Sequence, residues 1–212
     1  MTEMVHDVPT DAGPGRLHVV AGAEVRVLLV LGGGHSGQIA TVDLDAVAAA
    51  LPARGVAVAR FELPWRVAGK KVGPRPPASD PLWTAGVDAA RALHPGVPLL
   101  TGGRSAGARI ACRTWTSDVA AVVALSFPLH PPGKPDASRI AELTPVAAPV
   151  LLVSGARDPF GTPEELRAAL AASHAGSRRL VVVPGATHAF PRAAAPALVE
   201  AVATFAGSVA RN

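Results

Sequence analysis

A doubly wound α/β fold, with a mostly parallel sheet and helices on both faces, is predicted by three observations. Short apolar runs rich in Val, Leu and Ile alternate along the chain with alanine-rich stretches of helical length, the pattern of strands buried on both faces and joined by crossover helices. Loops carrying Gly or Pro punctuate the runs throughout. The chain's 212 residues, 49% of them apolar, suffice for one sizeable core. A single domain over residues 1–212, without a large inserted lid, is the expected organisation.

The elements follow in order. Arg16 to Ala21 and Glu24 to Leu31 read as two early strands around a Gly-containing turn. Asp43 to Leu51 reads as a helix and Gly55 to Leu63 as the next strand. A Pro-rich loop leads to a helix over Leu82 to Leu93. Val97 to Gly102 is a strand, and Ala106 to Thr116 the helix that leaves the turn after it. Val119 to Phe127 and Ala148 to Ser154 are further strands, followed by a helix from Pro163 to His174, with proline at the first turn. Ser177 to Val183 is the last strand and Ala193 to Ala210 the closing helix, whose start is blurred by Pro196.

In an open parallel sheet, ligands gather beyond the carboxyl ends of the strands, and four loops there carry unusual residues. Thr101-Gly102-Gly103-Arg104-Ser105-Ala106-Gly107 spells G-x-S-x-G on a strand-to-helix turn. Such a turn exposes a serine hydroxyl, and glycines two residues to either side let strand and helix approach. Gly32-Gly33-Gly34-His35-Ser36-Gly37 could turn backbone N–H groups toward a developing negative charge. It lacks the endings of a phosphate-binding P-loop, and a plain flexible turn is the alternative. Asp158, in Ser154-Gly155-Ala156-Arg157-Asp158-Pro159-Phe160, sits where an acid would orient a histidine, although Asp-Pro is also a common turn pair. His188 lies in the small-residue loop Pro184 to Phe190, free to accept a serine proton. The order Ser105, Asp158, His188, each at a strand end, is that of nucleophile, acid and base in hydrolases of this architecture.

Gly33, His35, Arg104 and His130 are the further candidates for lining a substrate pocket. His6, His18, His94 and His174 read as surface or turn residues. No histidine or carboxylate spacing suggests zinc, so neither metal nor cofactor is expected. Cys112 stands alone one turn into the helix after Ser105 and reads as a small buried residue rather than a nucleophile.

On these motifs the chain resembles the α/β-hydrolases, and within them a small lidless branch near the dienelactone hydrolases. That branch is similar to the third subunit of the animal non-specific-lethal chromatin complex and its testis-expressed relative. The resemblance is carried by Leu29 to Gly34, Arg60 to Trp65, Gly103 to Arg109, Phe127 to Pro135, Gly155 to Gly161 and Gly185 to Phe190. It implies a Ser105–Asp158–His188 triad, with an oxyanion hole formed by the backbone N–H groups of Gly34 and Ala106. Relatives commonly carry a histidine where this chain has Gly32, a departure that bears on the rigidity of the glycine loop.

The expected activity is hydrolysis of a small ester or thioester through an acyl-enzyme, with a small-molecule acyl substrate as partner. A scaffold that keeps the fold for protein contacts, or an acyltransferase using the same triad, are the competing readings. The net charge of +4 invites a nucleic-acid reading. However, the 17 arginines and 3 lysines are scattered, and five Phe, three Trp and no Tyr provide little for base stacking. Arg60, Arg104 and the loop cluster Arg66, Lys70, Lys71 and Arg75 would suit an anionic substrate. Val25 to Leu31 is too short to span a bilayer and contains Arg26, and no secretory signal is visible at the N-terminus, so a cytoplasmic protein without membrane partners is expected. The oligomeric state has no signature.

Overall fold

Two edge strands that meet only one neighbour frame the sheet, and their exposure sets them apart from the strands between. The computed structural model describes residues 1–172 and 176–211. β1 (Met4–Val8) and β2 (Gly15–Val20) form an antiparallel hairpin. Then follow β3 (Val27–Gly32), α1 (Val42–Ala50), β4 (Val56–Glu62), the one-turn α2 (Pro64–Val67), α3 (Asp80–Leu93), β5 (Leu99–Arg104) and α4 (Ala106–Arg113). The second half runs β6 (Ala121–Leu125), the one-turn α5 (Ile140–Leu143), β7 (Val150–Gly155), α6 (Pro163–Ala172), β8 (Arg178–Val183) and α7 (Ala195–Val209). The eight strands lie in the order β1-β2-β4-β3-β5-β6-β7-β8, antiparallel at β1–β2 and β2–β4 and parallel from β4 to β8.

Side chains alternate across each strand. In β3, Leu28 and Val30 join Ala57, Ala59 and Phe61 of β4 beneath Trp83 and Val87 of α3 and Ala108 and Ile110 of α4. Val27, Leu29 and Leu31 face the other way, onto Leu44 and Val47 of α1 and Leu198 and Val202 of α7. The fold is therefore a doubly wound α/β arrangement, with helices on both faces and, among the described residues, no large lid. None of the described helices is long and apolar enough to cross a membrane.

β1, α2 and α5 are absent from the sequence expectation. β1 shows why: as an edge strand it leaves Met4 and Val5 exposed, so no alternation marks it. β5 runs to Arg104, because Gly102, Gly103 and Arg104 keep pairing with Val123, Ala124 and Leu125 where glycines suggest a loop. α4 stops at Arg113, not Thr116. The Thr114 hydroxyl donates to the Ile110 carbonyl (2.8 Å) and the Trp115 indole N–H to the Val119 carbonyl (3.1 Å), turning the chain out of the helix. Pro196 sits in the first turn of α7, where a missing N–H costs nothing, after a 3₁₀ turn over Arg192–Ala194. α6 opens on a capping box: Glu165 N–H donates to the Thr162 hydroxyl (3.2 Å), and Thr162 N–H to the Glu165 carboxylate (2.8 Å). Its expected end at His174, and the reading of His174 itself, lie outside the described residues.

After β3 the chain adds β4 on one side and then crosses to place β5 on the other. The crevice between the carboxyl ends of β3 and β5 is thus the point where the winding reverses, the place such sheets reserve for ligands.

Candidate active site

Ser105 occupies the turn between β5 and α4 with φ 53° and ψ −110°, a backbone conformation that favours glycine. Its N–H donates to the Leu125 carbonyl (2.9 Å), and its own carbonyl accepts from Arg109 N–H (3.2 Å), so both sides of the turn are tied down. The flanking glycines have a steric cause. A β-carbon on Gly103 would lie 2.5 Å from the Gly32 carbonyl oxygen, and one on Gly107 only 2.3 Å from the same atom. The end of β3, the end of β5 and the start of α4 therefore meet backbone to backbone.

Around this turn the three residues of the expected triad come together. His188 Nε2 lies 2.8 Å from Ser105 Oγ. His188 Nδ1 lies 2.9 and 3.1 Å from the two carboxylate oxygens of Asp158. Asp158 is buried, and its Oδ1 also accepts the Phe160 N–H (2.9 Å). The Phe160 ring packs tilted against the imidazole with centroids 4.2 Å apart, so the loop that carries Asp158 also supports His188.

The glycine loop lies on the other side of Ser105. A β-carbon on Gly34 would stand 3.8 Å from Ser105 Cβ, and Ala106 opens α4, where the first N–H groups lack intrahelical acceptors. At Gly32, the site of the missing histidine, the Trp83 indole fills the space. A β-carbon there would lie 3.0 Å from the ring and 3.3 Å from Gly107 Cα.

The remaining pocket candidates separate. Gly33 and His35 line a cleft of about 460 Å³ that opens beside Gly34 and Ala106, with Leu63, Trp65 and Trp83 among its walls. Arg104 is placed elsewhere than in the cleft wall. Its Nε forms an ion pair with buried Asp43 (3.0 Å), its Nη2 donates to the His188 carbonyl (3.1 Å), and its Nη1 lies 3.0 Å from the β-carbon position of Gly34. One side chain thus touches the His188 loop and the glycine loop while standing next to Ser105 in sequence. No local motif announces this role, because it depends on residues 43, 104 and 188 meeting in space. Arg104→Lys keeps the charge facing Asp43 but cannot span both partners. It is expected to lower kcat by roughly 10- to 100-fold with KM changed far less, the cost of a misplaced base. An unchanged kcat would remove the bracing role.

His130 is buried away from the cleft. Its Nδ1 lies 2.8 Å from the Pro131 carbonyl and its Nε2 3.2 Å from the Glu165 carboxylate, while its backbone N–H donates to the Phe160 carbonyl (3.0 Å). It braces the loop of Asp158 from behind. The Pro131 carbonyl, helped by Glu165 and opposed by burial, holds the imidazole above its ordinary pKa. Bonds from Thr162 N–H, and then from His130, hold the Glu165 carboxyl below its own. The folded state thus binds the His130 proton more tightly than the unfolded chain. That contribution is complete below about pH 6.5 and is lost as pH rises through the raised value. Glu165's contribution is present above its ordinary value and lost as pH falls through the lowered one. Melting curves across this range are expected to show the wild type losing its margin over His130→Gln as pH rises from 6 toward 8; a constant margin would count against the pair.

Of the expected cationic residues, Arg75 lines the cleft. Arg60 faces away, paired with Glu3 and Asp45, and Arg66 lies 4.0 Å from Glu62. Lys70 and Lys71 are exposed outside the cleft wall. The reading from sequence missed Arg109, Arg113 and Arg139, which also line it; the four-residue spacing of the first two on α4 was the available signal. Burial pushes the Cys112 thiol up to about 12, so it offers no competing thiolate at neutral pH. Among the described residues no group of three or more His, Cys, Asp or Glu is arranged to hold a metal ion.

Residues 23–201 match a family model described as an alpha/beta hydrolase domain. No curated protein matches the chain. Among solved structures, an alpha-beta serine hydrolase homologue from Coxiella burnetii is 21% identical, with a TM-score of 0.75 over 94% of this chain and 97% of its own. A serine hydrolase without a lid from Xanthomonas campestris is 20% identical, with a TM-score of 0.74 over 96% and 95%. Est1E from Butyrivibrio proteoclasticus is 17% identical, with a TM-score of 0.79 over 98% and 99%.

Proposed function

The chain belongs to the α/β-hydrolase family, and from that footing we propose that it is a serine hydrolase cleaving a small ester or thioester through Ser105, His188 and Asp158. The observation that carries the reading is the continuous chain of contacts from Ser105 Oγ through both imidazole nitrogens to the buried Asp158 carboxylate. Structures of the same fold named as a serine hydrolase homologue, a serine hydrolase without a lid and esterases point in the same direction. The matched structures lend no support to kinship with the animal chromatin subunit.

In the proposed reaction His188 Nε2 takes the Ser105 proton as Oγ bonds to the acyl carbon, and the carbonyl electron pair moves onto oxygen. The N–H groups of Gly34 and Ala106 face that oxyanion. Collapse breaks the bond to the leaving oxygen or sulfur, which receives the proton from His188 Nε2. Water then gives a proton to His188 and attacks the acyl carbon, Ser105 Oγ departs with that proton, and free acid is released. Asp158 holds Nδ1–H throughout and balances the charge of the imidazolium.

A fluorophosphonate probe tests the reading, since it reacts with an activated serine and requires no knowledge of the substrate. One adduct per chain, on the Ser105 peptide and absent from Ser105→Ala, is expected. A folded protein that stays unlabelled at high probe concentration would leave the scaffold reading. Short-chain esters and thioesters offered with added alcohols separate hydrolysis from transfer: free acid is the expected main product, and diversion to the new ester would make the protein an acyltransferase.

A further inference from the structure

The cleft beside Ser105 carries more positive charge than its own carboxylates neutralise. Arg75, Arg109, Arg113 and Arg139 all line it. Glu142 holds Arg109 through two bonds (2.6 and 2.5 Å), and Asp80 holds Arg113 through two more (3.0 and 2.7 Å). Arg113 Nη1 also lies 3.4 Å from Glu142. Four guanidinium groups thus share two carboxylates. Arg139 donates to the Pro128 carbonyl (3.1 Å), and neither it nor Arg75 forms an ion pair among the described residues. Burial and the facing charge of Arg109, partly offset by Glu142, hold the Arg139 guanidinium below its usual value. An anion in the cleft would relieve that repulsion.

The direction of the cleft says which end of a substrate enters it. The leaving group must reach His188 Nε2 to collect a proton. The cleft walls include Gly34 and Ala106 but no residue of the His188 loop, so the volume lies on the acyl side. Arg109 and Arg113 lie four and eight residues beyond Ser105, which at 1.5 Å per residue is about 6 and 12 Å along α4. The same cleft is lined by Leu63, Trp65, Trp83 and Ile110, apolar walls suited to methylene groups.

We infer that this cleft takes an acyl chain ending in a carboxylate, so that the substrate is the half-ester or half-thioester of a dicarboxylic acid, with its free carboxylate at Arg75 and Arg139. The inference rests on the hydrolase reading above. Guanidinium forks match carboxylate geometry and hold it by charge-assisted bonds; the partly buried Arg139, without an ion pair among the described residues, has the most to gain from one, and the exposed Arg75 adds a second cation to the same cleft.

Monoethyl adipate and ethyl hexanoate have the same leaving group and nearly the same length, and differ in the terminal charge. With the intact protein at low salt, kcat/KM is expected to favour the half-ester by at least about tenfold, the worth of one charge-assisted contact. The preference should shrink as salt is added, and in Arg75→Gln/Arg139→Gln the ratio of the two rates should fall toward one. Free adipate should also protect Ser105 from the fluorophosphonate at lower concentration than hexanoate does, a readout that does not need turnover. Labelling with equal protection by the two acids, or equal rates for the two esters, overturns the inference and leaves the hydrolase reading standing. No labelling of folded protein overturns both.

Discussion

Ser105→Ala is expected to lower kcat for any accepted ester by on the order of 10⁴- to 10⁶-fold, the scale on which nucleophile removal acts when triad members work as a unit. What remains would come from the oxyanion donors and from binding. A second substitution at the same position separates chemistry from stability. Ser105 holds φ 53° and ψ −110°, which costs a residue with a β-carbon about 1–3 kcal/mol. Ser105→Gly relieves that strain and gives back part of the gain through the greater freedom of the unfolded chain. Ser105→Gly is therefore expected to be as inactive as Ser105→Ala yet more stable than the wild type by about 1 kcal/mol, a rise of roughly 2–4 °C in Tm. Activity assays with parallel thermal melts read both effects. A glycine variant that melts below the wild type would show that the turn is not strained in the way its dihedral angles imply.

Asp158→Asn should cost about 10⁴-fold in kcat while leaving the fold intact. The carboxylate uses Oδ1 to accept the Phe160 N–H (2.9 Å) and Oδ2 to meet His188 Nδ1 (2.9 Å). An asparagine seats its carbonyl on Phe160 N–H and turns its NH₂ toward Nδ1. Nδ1 must then be the acceptor, which moves the ring proton to Nε2, the atom that has to accept from Ser105. The lesion is a wrong tautomer in a correct geometry. Fluorophosphonate labelling should slow in step with kcat, and the melting temperature should change little. A large loss of stability instead would assign Asp158 to holding its loop.

The proposed triad and the contacts that hold it were unequally legible from sequence. Ser105, Asp158 and His188 each follow an apolar run, so strand ends and residue chemistry together marked them. The buried strands β3, β6 and β7 were equally plain, since burial on both faces leaves an unbroken apolar signature. β1 lacks that signature because it lies at the exposed edge, and α2 and α5, one turn each, are too short for any period to show. Arg104 was visible as a charge beside Ser105. That it spends its guanidinium on Asp43 and on the His188 carbonyl depends on a meeting of segments some 60 and 84 residues away, which neither composition nor spacing encodes. Arg75 was marked with its loop cluster, whereas Arg109, Arg113 and Arg139 were hidden for a similar reason: Glu142 and Asp80 define which guanidinium groups are spoken for, and both arrive through tertiary packing.

The backbone crossing of Gly32, Gly103 and Gly107 divides the chain into parts with different freedom to change under selection. A β-carbon at 103 or 107 would land within 2.5 Å of the Gly32 carbonyl oxygen. Those two positions have no spare volume with which to adjust. The cleft wall at Val72, Arg75 and Arg139 is more exposed. In a library randomised at both sets and sorted for esterase activity, the first set should return glycine almost alone. The second should return different side chains for each ester used in sorting, so that ester preference can drift while Ser105 stays where it is.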